Sequence, residues 1–208
     1  MIKPAALLLT LLMPLIGQAD DGPSMDSLLA KLEASTWVAE GAQQPQRVAY
    51  VFTDMACPYC ARLWENMQPM IEDEDNVLQV RHIIVGLINP KRSFTQGGAI
   101  LAAPDPAAAL AEHEAHYDDG GIRPLERVPD AIRSQIQSNT GLMIGLGLQG
   151  TPALIFQDSQ GRWRVAPGVV GEEAVRAVPH RKKLWVPHPW GAFLHHGQCG
   201  ATETPAGP

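Results

Sequence analysis

The chain has 208 residues, of which 45% are hydrophobic and 18% charged, a composition that predicts one well-buried core. The formal net charge is −6 and the basic residues form no long run, which argues against nucleic acid as a partner. Only three cysteines are present, too few for a small fold that depends on several disulfides.

Residues 1–19 have the pattern of a secretory signal peptide. Lys3 precedes an apolar run that is short for a membrane span and is interrupted by Pro14. The run ends in Gly17-Gln18-Ala19, a small-x-small cleavage site. We expect cleavage near Ala19 and an exported protein, with a retained N-terminal anchor as the alternative.

Residues 20–46 predict a short N-terminal helix followed by a linker. The helix is expected over Ser24–Thr36, with Ser24 or Asp26 as its cap and three leucines on one face. The polar segment Gly41–Gln46 reads as the connector to the main domain, which is expected over residues 47–179.

The main domain opens with a predicted βαβ unit. Arg47–Thr53 and Val77–Leu87 are rich in β-branched residues, which predicts two buried strands. Between them, Ala61–Ile71 has helical periodicity, and Pro58 is suited to the start of that helix. This order puts the Cys57-Pro58-Tyr59-Cys60 motif at the carboxyl end of the first strand, where reactive groups of α/β folds gather.

Residues from about 90 to 148 predict a helical insertion. The segment is rich in alanine and is broken by several prolines. Asp105–Tyr117 begins with a good cap and with Pro106 in the first helical position, and Asp130–Leu146 is a further helix candidate.

Two short strands are predicted after the insertion. Thr151–Gln157 and Arg162–Val165 read as an antiparallel hairpin. Gly171–Val178 reads as a closing helix, and residues 180–208, rich in Pro, Gly and His, as an irregular tail that carries Cys199.

The Cys-x-x-Cys pair predicts thiol–disulfide chemistry. Cys57 lies at a helix N-terminus, where backbone N–H groups and the helix dipole stabilise a thiolate. Cys60 follows one turn later, close enough to resolve a mixed disulfide. We expect Cys57 to be the exposed nucleophile and Cys60 the shielded resolving cysteine. Pro58 stiffens the turn, and Tyr59 offers an aromatic surface.

Other site residues have weaker signals. Asp54 either assists proton transfer to Cys60 or caps the turn before the motif. Structural zinc needs four ligands, and the pair supplies two, so neither a metal nor any other cofactor is predicted. His113 and His116 share a helix face at metal-binding spacing, but without further ligands they read as a solvated face.

The segments YVFTDMACPYC (Tyr50–Cys60) and GTPALIF (Gly150–Phe156) resemble the bacterial periplasmic DsbC/DsbG disulfide isomerases. The DsbG branch is closer, because it typically carries CPYC. VGLINP (Val85–Pro90), GGAILAAPDPAAAL (Gly97–Leu110) and HEAHYDDGG (His113–Gly121) look like its helical insertion.

This resemblance implies a thioredoxin fold in which a helical insertion separates the βαβ unit from a cis-proline hairpin. It implies Cys57 as nucleophile, Cys60 as resolving cysteine, and Pro152 as the cis-proline after Thr151. Substrate would then contact Thr151 and Pro152, together with Pro58 and Tyr59 of the motif. The implied partners are exported proteins with cysteines and a membrane thiol reductant of the DsbD type.

The resemblance leaves two questions open. Family members carry an N-terminal dimerisation domain, and residues 20–46 are too short for one, so we expect a monomer. The same cysteines would also serve a DsbA-like dithiol oxidase, which differs in potential and partner. A third hypothesis, from another class, is an envelope chaperone that binds unfolded segments without redox turnover.

Overall fold

The structure is a computed structural model and describes residues 25–72, 77–158 and 160–169. Five strands and five α-helices make up the described part of the chain. In chain order they are α1 (Met25–Glu33), β1 (Val38–Gly41), β2 (Arg47–Asp54), α2 (Pro58–Ile71), β3 (Leu78–Val85), α3 (Pro90–Leu101), α4 (Pro106–Ala115), a 3-10 turn (Tyr117–Asp119), α5 (Asp130–Gly145), β4 (Ala153–Gln157) and β5 (Trp163–Pro167).

The strands form one mixed sheet in the order β1-β3-β2-β4-β5. Strands β2 and β3 are parallel and joined through α2, and the other neighbouring pairs are antiparallel. Strand β2 is central, and its burial is almost complete from Ala49 to Asp54. Because Phe52 of β2 pairs with Ala153 of β4, the start of β4 lies beside the carboxyl end of β2.

Apolar clusters cover both faces of the sheet. One face packs against α2 through Leu63 and Met67, and the other against α1 and α5 through Leu32 and Met143. A further cluster, with Ile100, Leu110 and Ile136, joins the three insertion helices to Met55 and Ile84 of the βαβ unit. The insertion is therefore packed onto the end of β2 that carries the cysteine motif.

Helices α3 and α4 of the insertion begin at residues whose sequences favour a helix start. Asn89 caps α3 by accepting from the Arg92 N–H, and Asp105 caps α4 by accepting from the Ala108 N–H. A proline follows each cap, where its missing N–H removes no helical hydrogen bond.

The predicted α/β class, the βαβ unit, the helical insertion and the hairpin are all confirmed. Strand β1 was missed, because it is a four-residue edge strand ending at Gly41. Gly41 has a φ of +91°, and a Cβ there would meet the Leu78 carbonyl oxygen at 2.4 Å, so this close approach requires glycine.

Several predictions fall on residues outside the described ranges. They are the signal peptide over residues 1–19, the closing helix over Gly171–Val178 and the tail over residues 180–208 with Cys199. These assignments, and the domain boundaries that depend on them, stay predictions. Within the described ranges, no helix has the length and apolar character needed to cross a bilayer.

Candidate active site

The cysteine motif forms the turn from β2 into α2. Cys57 is the N-cap of α2 with extended backbone, and Pro58 occupies the first helical turn. The Cys57 N–H donates to the Asp54 carbonyl at 2.9 Å, and the Cys60 N–H donates to the Cys57 carbonyl at 3.0 Å. Both sulfurs therefore lie at the N-terminal end of α2, as predicted from the motif.

The side chain of Asp54 holds the surrounding loops together. It is fully buried, and its Oδ1 accepts from the Ala56 N–H at 2.8 Å and the Ser93 hydroxyl at 2.6 Å. Its Oδ2 accepts from the N–H groups of Leu87 at 2.7 Å and Ile88 at 2.9 Å. This arrangement supports the turn-capping interpretation, and proton transfer by Asp54 stays a prediction.

We expect Asp54→Ala to lower the free energy of unfolding by about 3 kcal/mol, because it leaves four donors, one buried and three part-buried, without their acceptor. Denaturant unfolding of the mature protein measures this change. The matched control is Asp105→Ala, which removes a single exposed helix cap and should cost about 1 kcal/mol. Equal losses for the two variants would contradict the structural role of Asp54.

The Thr151–Pro152 segment faces the motif from the start of β4. Its peptide bond is cis, as the resemblance implied. The Cys57 thiol donates to the Thr151 carbonyl oxygen at 3.4 Å. The Thr151 hydroxyl is buried. The Cys57 sulfur is near it, and no other hydrogen-bond partner for this hydroxyl is found among the described residues. It is thus available to donate to that sulfur once Cys57 ionises.

The expected contrast in exposure between the two cysteines is wrong. Both are reduced and buried, with exposed fractions of 1% for Cys57 and 3% for Cys60. Tyr59, between them, is 56% exposed, which agrees with the predicted aromatic surface. Ile88, in the loop after β3 that Asp54 holds, is 51% exposed. The difference between the thiols is therefore electrostatic and not one of exposure.

The pKa values of the two thiols are shifted in opposite directions. A hydrogen bond from the Cys60 thiol lowers the pKa of Cys57 to about 6, with help from Thr151 and from the Cys60 and Tyr59 N–H groups and against the cost of burial. Burial raises the pKa of Cys60 well above its ordinary value, and the neighbouring Cys57 raises it further. At neutral pH this pair is one thiolate and one thiol, which suits an attacking and a resolving sulfur.

In a Cys199→Ser background, which removes the third thiol, we expect Cys57 of the reduced protein to titrate with a midpoint near pH 6. Thiolate absorbance or the pH dependence of alkylation measures this midpoint. Cys60→Ala should raise that midpoint, because it removes the largest cause of the lowered pKa. Cys60→Ser is the matched control, since its hydroxyl still donates. A midpoint above about pH 8 in wild type would contradict this account.

Because the pKa of Cys57 is lowered in the folded state, the free energy of unfolding of the reduced chain depends on pH. The folded, reduced chain binds fewer protons than the unfolded chain between the folded pKa of about 6 and the ordinary value near 9. This contribution to stability is therefore complete above the ordinary pKa and is lost as the pH falls through about 6.

The interpretation of His113 as part of a solvated face is wrong. His116 is exposed beside Glu112, but His113 is fully buried. Its Nδ1 accepts from the Ile122 N–H, so Nε2 carries the proton and donates to the Met55 carbonyl at 3.1 Å. Burial lowers the pKa of His113 to about 4, so the ring is neutral and supports the loop before the motif. This role was not recognised from the sequence because His113 and His116 are three residues apart, a spacing that suggested a shared exposed face.

Sequence reasoning missed Glu114, which lies beside the cysteines. It belongs to α4, is buried, and its Oε1 accepts from the Thr53 hydroxyl at 3.4 Å. Burial raises the pKa of this carboxyl to about 8. The sequence predicted helix α4 and its cap, and Glu114 lies in the alanine-rich part of that helix. The sequence pattern did not indicate which face of α4 is buried, so Glu114 was not recognised. Among the described residues no group of three or more His, Cys, Asp or Glu side chains is placed to hold a metal ion.

The thioredoxin-like domain profile matches residues 32–181, which include the whole sheet and the motif. The chain belongs to the thioredoxin-like domain family. The predicted thioredoxin fold with a helical insertion is thereby confirmed, and Cys57, Cys60, Thr151 and Pro152 of this thioredoxin-like domain are close together in space.

Two relatives are both described as thiol:disulfide interchange protein DsbG. The protein from Pseudomonas aeruginosa is 36% identical over 146 residues, which cover 70% of this chain and 56% of the relative. The protein from Escherichia coli is 29% identical over 164 residues, which cover 77% of this chain and 63% of the relative. The resemblance to DsbG is confirmed, while the chain spans less than two thirds of either relative.

Among solved structures, the catalytic domain of Proteus mirabilis ScsC superposes with a TM-score of 0.59 at 22% identity. The match covers 74% of this chain and 93% of that domain. At this identity the likeness supports the fold of the thioredoxin-like domain.

Proposed function

We propose that this chain is a periplasmic thiol–disulfide oxidoreductase, a DsbG-like reductase or isomerase that acts on disulfides or sulfenylated cysteines of exported proteins. The observation that carries the proposal is the pair of unequal thiols, with Cys57 acidified by a hydrogen bond from Cys60, facing the cis-proline segment. The two DsbG relatives support the same chemistry. The signal-peptide pattern over residues 1–19 supports export, with cleavage near Ala19.

In the proposed reaction the Cys57 thiolate attacks one sulfur of a substrate disulfide. A mixed disulfide forms, and the other substrate sulfur leaves as a thiolate. Cys60 then attacks the Cys57 sulfur and releases the reduced substrate. The protein is left with a Cys57–Cys60 disulfide, and two electrons have moved to the substrate.

The substrate would lie along the cis-proline segment. Its backbone would approach Thr151 and Pro152, and the exposed ring of Tyr59, next to Pro58, would contact its apolar side chains. Return to the dithiol requires a reductant, for which a membrane thiol reductant of the DsbD type is the proposed partner. No cofactor takes part in this scheme, and the monomeric state expected from the sequence stays a prediction.

The first test is reduction of a protein disulfide by the mature chain in the presence of a dithiol, with insulin as the substrate. We expect Cys57→Ser to abolish turnover, because the thiolate is lost. Cys60→Ser should instead accumulate a mixed disulfide between Cys57 and the substrate, seen by mass spectrometry. A Cys57→Ala variant that keeps the full biological activity would overturn the redox proposal in favour of a chaperone.

A DsbA-like oxidase is the second candidate, and the low pKa of Cys57 is the observation that favours it. A stabilised thiolate favours the reduced form, which makes the disulfide a stronger oxidant. A pKa near 6 lies between about 7 for thioredoxin and about 3.5 for DsbA. We expect a potential between about −270 mV and about −120 mV, the values of those two proteins.

The direction of electron flow is tested by trapping the cysteines of the living cell with acid and alkylating them. We expect Cys57 and Cys60 to be mostly reduced, as a reductase or isomerase requires. Loss of the DsbD-type reductant should shift them to the disulfide. A pair that is mostly oxidised in cells with that reductant would favour the oxidase.

A further inference from the structure

Glu114 has a carboxyl group for which neither the fold nor the proposed exchange gives a use. The residue is only 2% exposed. Its Oε1 accepts from the Thr53 hydroxyl, whereas its Oε2 is buried and has no hydrogen-bond partner among the described residues. A buried polar atom without a partner is uncommon and calls for an explanation.

Thr53 connects this carboxyl to the redox pair. Its hydroxyl donates to Glu114 Oε1 at 3.4 Å, and its interaction with the Cys60 sulfur acts to lower the pKa of Cys60. A hydroxyl has one hydrogen to donate and lone pairs with which to accept. When Thr53 donates to an ionised Cys60 sulfur, Glu114 must therefore be the protonated partner. When Cys60 is a thiol, Thr53 is free to donate to an ionised Glu114.

We propose that Glu114 receives the Cys60 proton through the Thr53 hydroxyl as Cys60 resolves a mixed disulfide. The inference deepens the proposed thiol–disulfide exchange and rests on it. Glu114 does not contact the reacting sulfur atoms and acts only through Thr53. We therefore call it a positioning residue for the Cys60 sulfur.

The step balances in protons and electrons. The Cys60 S–H proton moves to Thr53 Oγ1 while the hydroxyl proton moves to Glu114 Oε1. The Cys60 thiolate forms a bond to the Cys57 sulfur, and the bond from Cys57 to the substrate sulfur breaks. That electron pair leaves with the substrate as a thiolate, and Glu114 holds the proton. In the reverse reaction, the same path returns the proton to Cys60 when the Cys57–Cys60 disulfide is opened.

The surroundings of Glu114 favour holding a proton. Burial raises its pKa to about 8, together with negative charge at Cys57, at Glu40 of β1 and at Asp54 of β2, and against the hydrogen bond from Thr53, which lowers it. From the 3-10 turn, Tyr117 also faces this group, and the α3 cation Arg92 lies over the Tyr117 ring. A pKa near the working pH lets a side chain both take up and release a proton.

Asp54 is less suited to this role. Each of its oxygens already accepts two hydrogen bonds from Ala56, Ser93, Leu87 and Ile88. Glu114 in contrast has one oxygen, Oε2, without a hydrogen-bond partner among the described residues, and its other oxygen accepts from the Thr53 hydroxyl.

The test is rapid mixing of the reduced mature protein with the chromogenic disulfide dithiobis(nitrobenzoate), which releases one thiolate at each exchange. All variants are compared in a Cys199→Ser background, which removes the third thiol of the chain. The first release then reports attack by Cys57, and the second reports resolution by Cys60. We expect Glu114→Gln to slow the second release roughly 10²-fold and to leave the first within a factor of about two. In wild type the second rate should rise with pH through about 8, and the variant should lose this rise.

Glu112→Gln is the matched control, since it removes an exposed carboxyl from the same helix and should change neither release. Thr53→Val should slow the second release as Glu114→Gln does. If Glu114→Gln fails to fold, the wild type in heavy water still tests the relay: the second release should slow and the first should not.

The relay is overturned if the second release of Glu114→Gln stays within about twofold of wild type across its pH profile. It is also overturned if both releases fall together, which would mean a structural role, or if the second is equally fast in heavy and ordinary water. A wild type that shows the first release without a second contradicts resolution by Cys60. A wild type that releases no thiolate overturns the proposed function and the relay with it.

Discussion

The buried carboxylate of Asp54 joins the segments that surround the cysteine pair. Its four hydrogen bonds come from the motif loop, the loop after β3 and helix α3. These donors are three part-buried backbone N–H groups and the buried Ser93 hydroxyl, so the carboxylate stabilises this arrangement of the loops. The position of Cys57 at the start of α2 follows, because its N–H is tied to the Asp54 carbonyl.

The chemistry of the pair depends on local asymmetry and not on access. Both thiols are buried, yet Cys57 receives hydrogen bonds at a helix N-terminus, while the main effect on Cys60 is its loss of solvation. A buried site strengthens the hydrogen bonds that do form and penalises charges that lack them. Hydrogen bonds therefore outweigh the cost of burial at Cys57, whereas burial keeps the Cys60 sulfur protonated.

The helical insertion takes part in the site as well as in the core. Helix α3 supplies Ser93 to Asp54, and helix α4 supplies His113 to the Met55 carbonyl and Glu114 to Thr53. The three side chains approach the turn from β2 into α2 from one side, and the Thr151–Pro152 segment approaches it from β4. The insertion thus builds the inner wall of the site, while Tyr59 and Ile88 remain exposed.

The sequence by itself determined the βαβ unit, the cap at Asp105, the hairpin and the cysteine motif. These features depend on periodicity, capping and spacing, which are local properties of the chain. Only the tertiary structure decided the cis peptide before Pro152, the burial of Cys57 and His113, the short strand β1 and the approach of Glu114 to Thr53. Glu114 is 61 residues from Thr53 in the chain. Such contacts arise from packing between elements, and no local pattern records which face of α4 is turned inward.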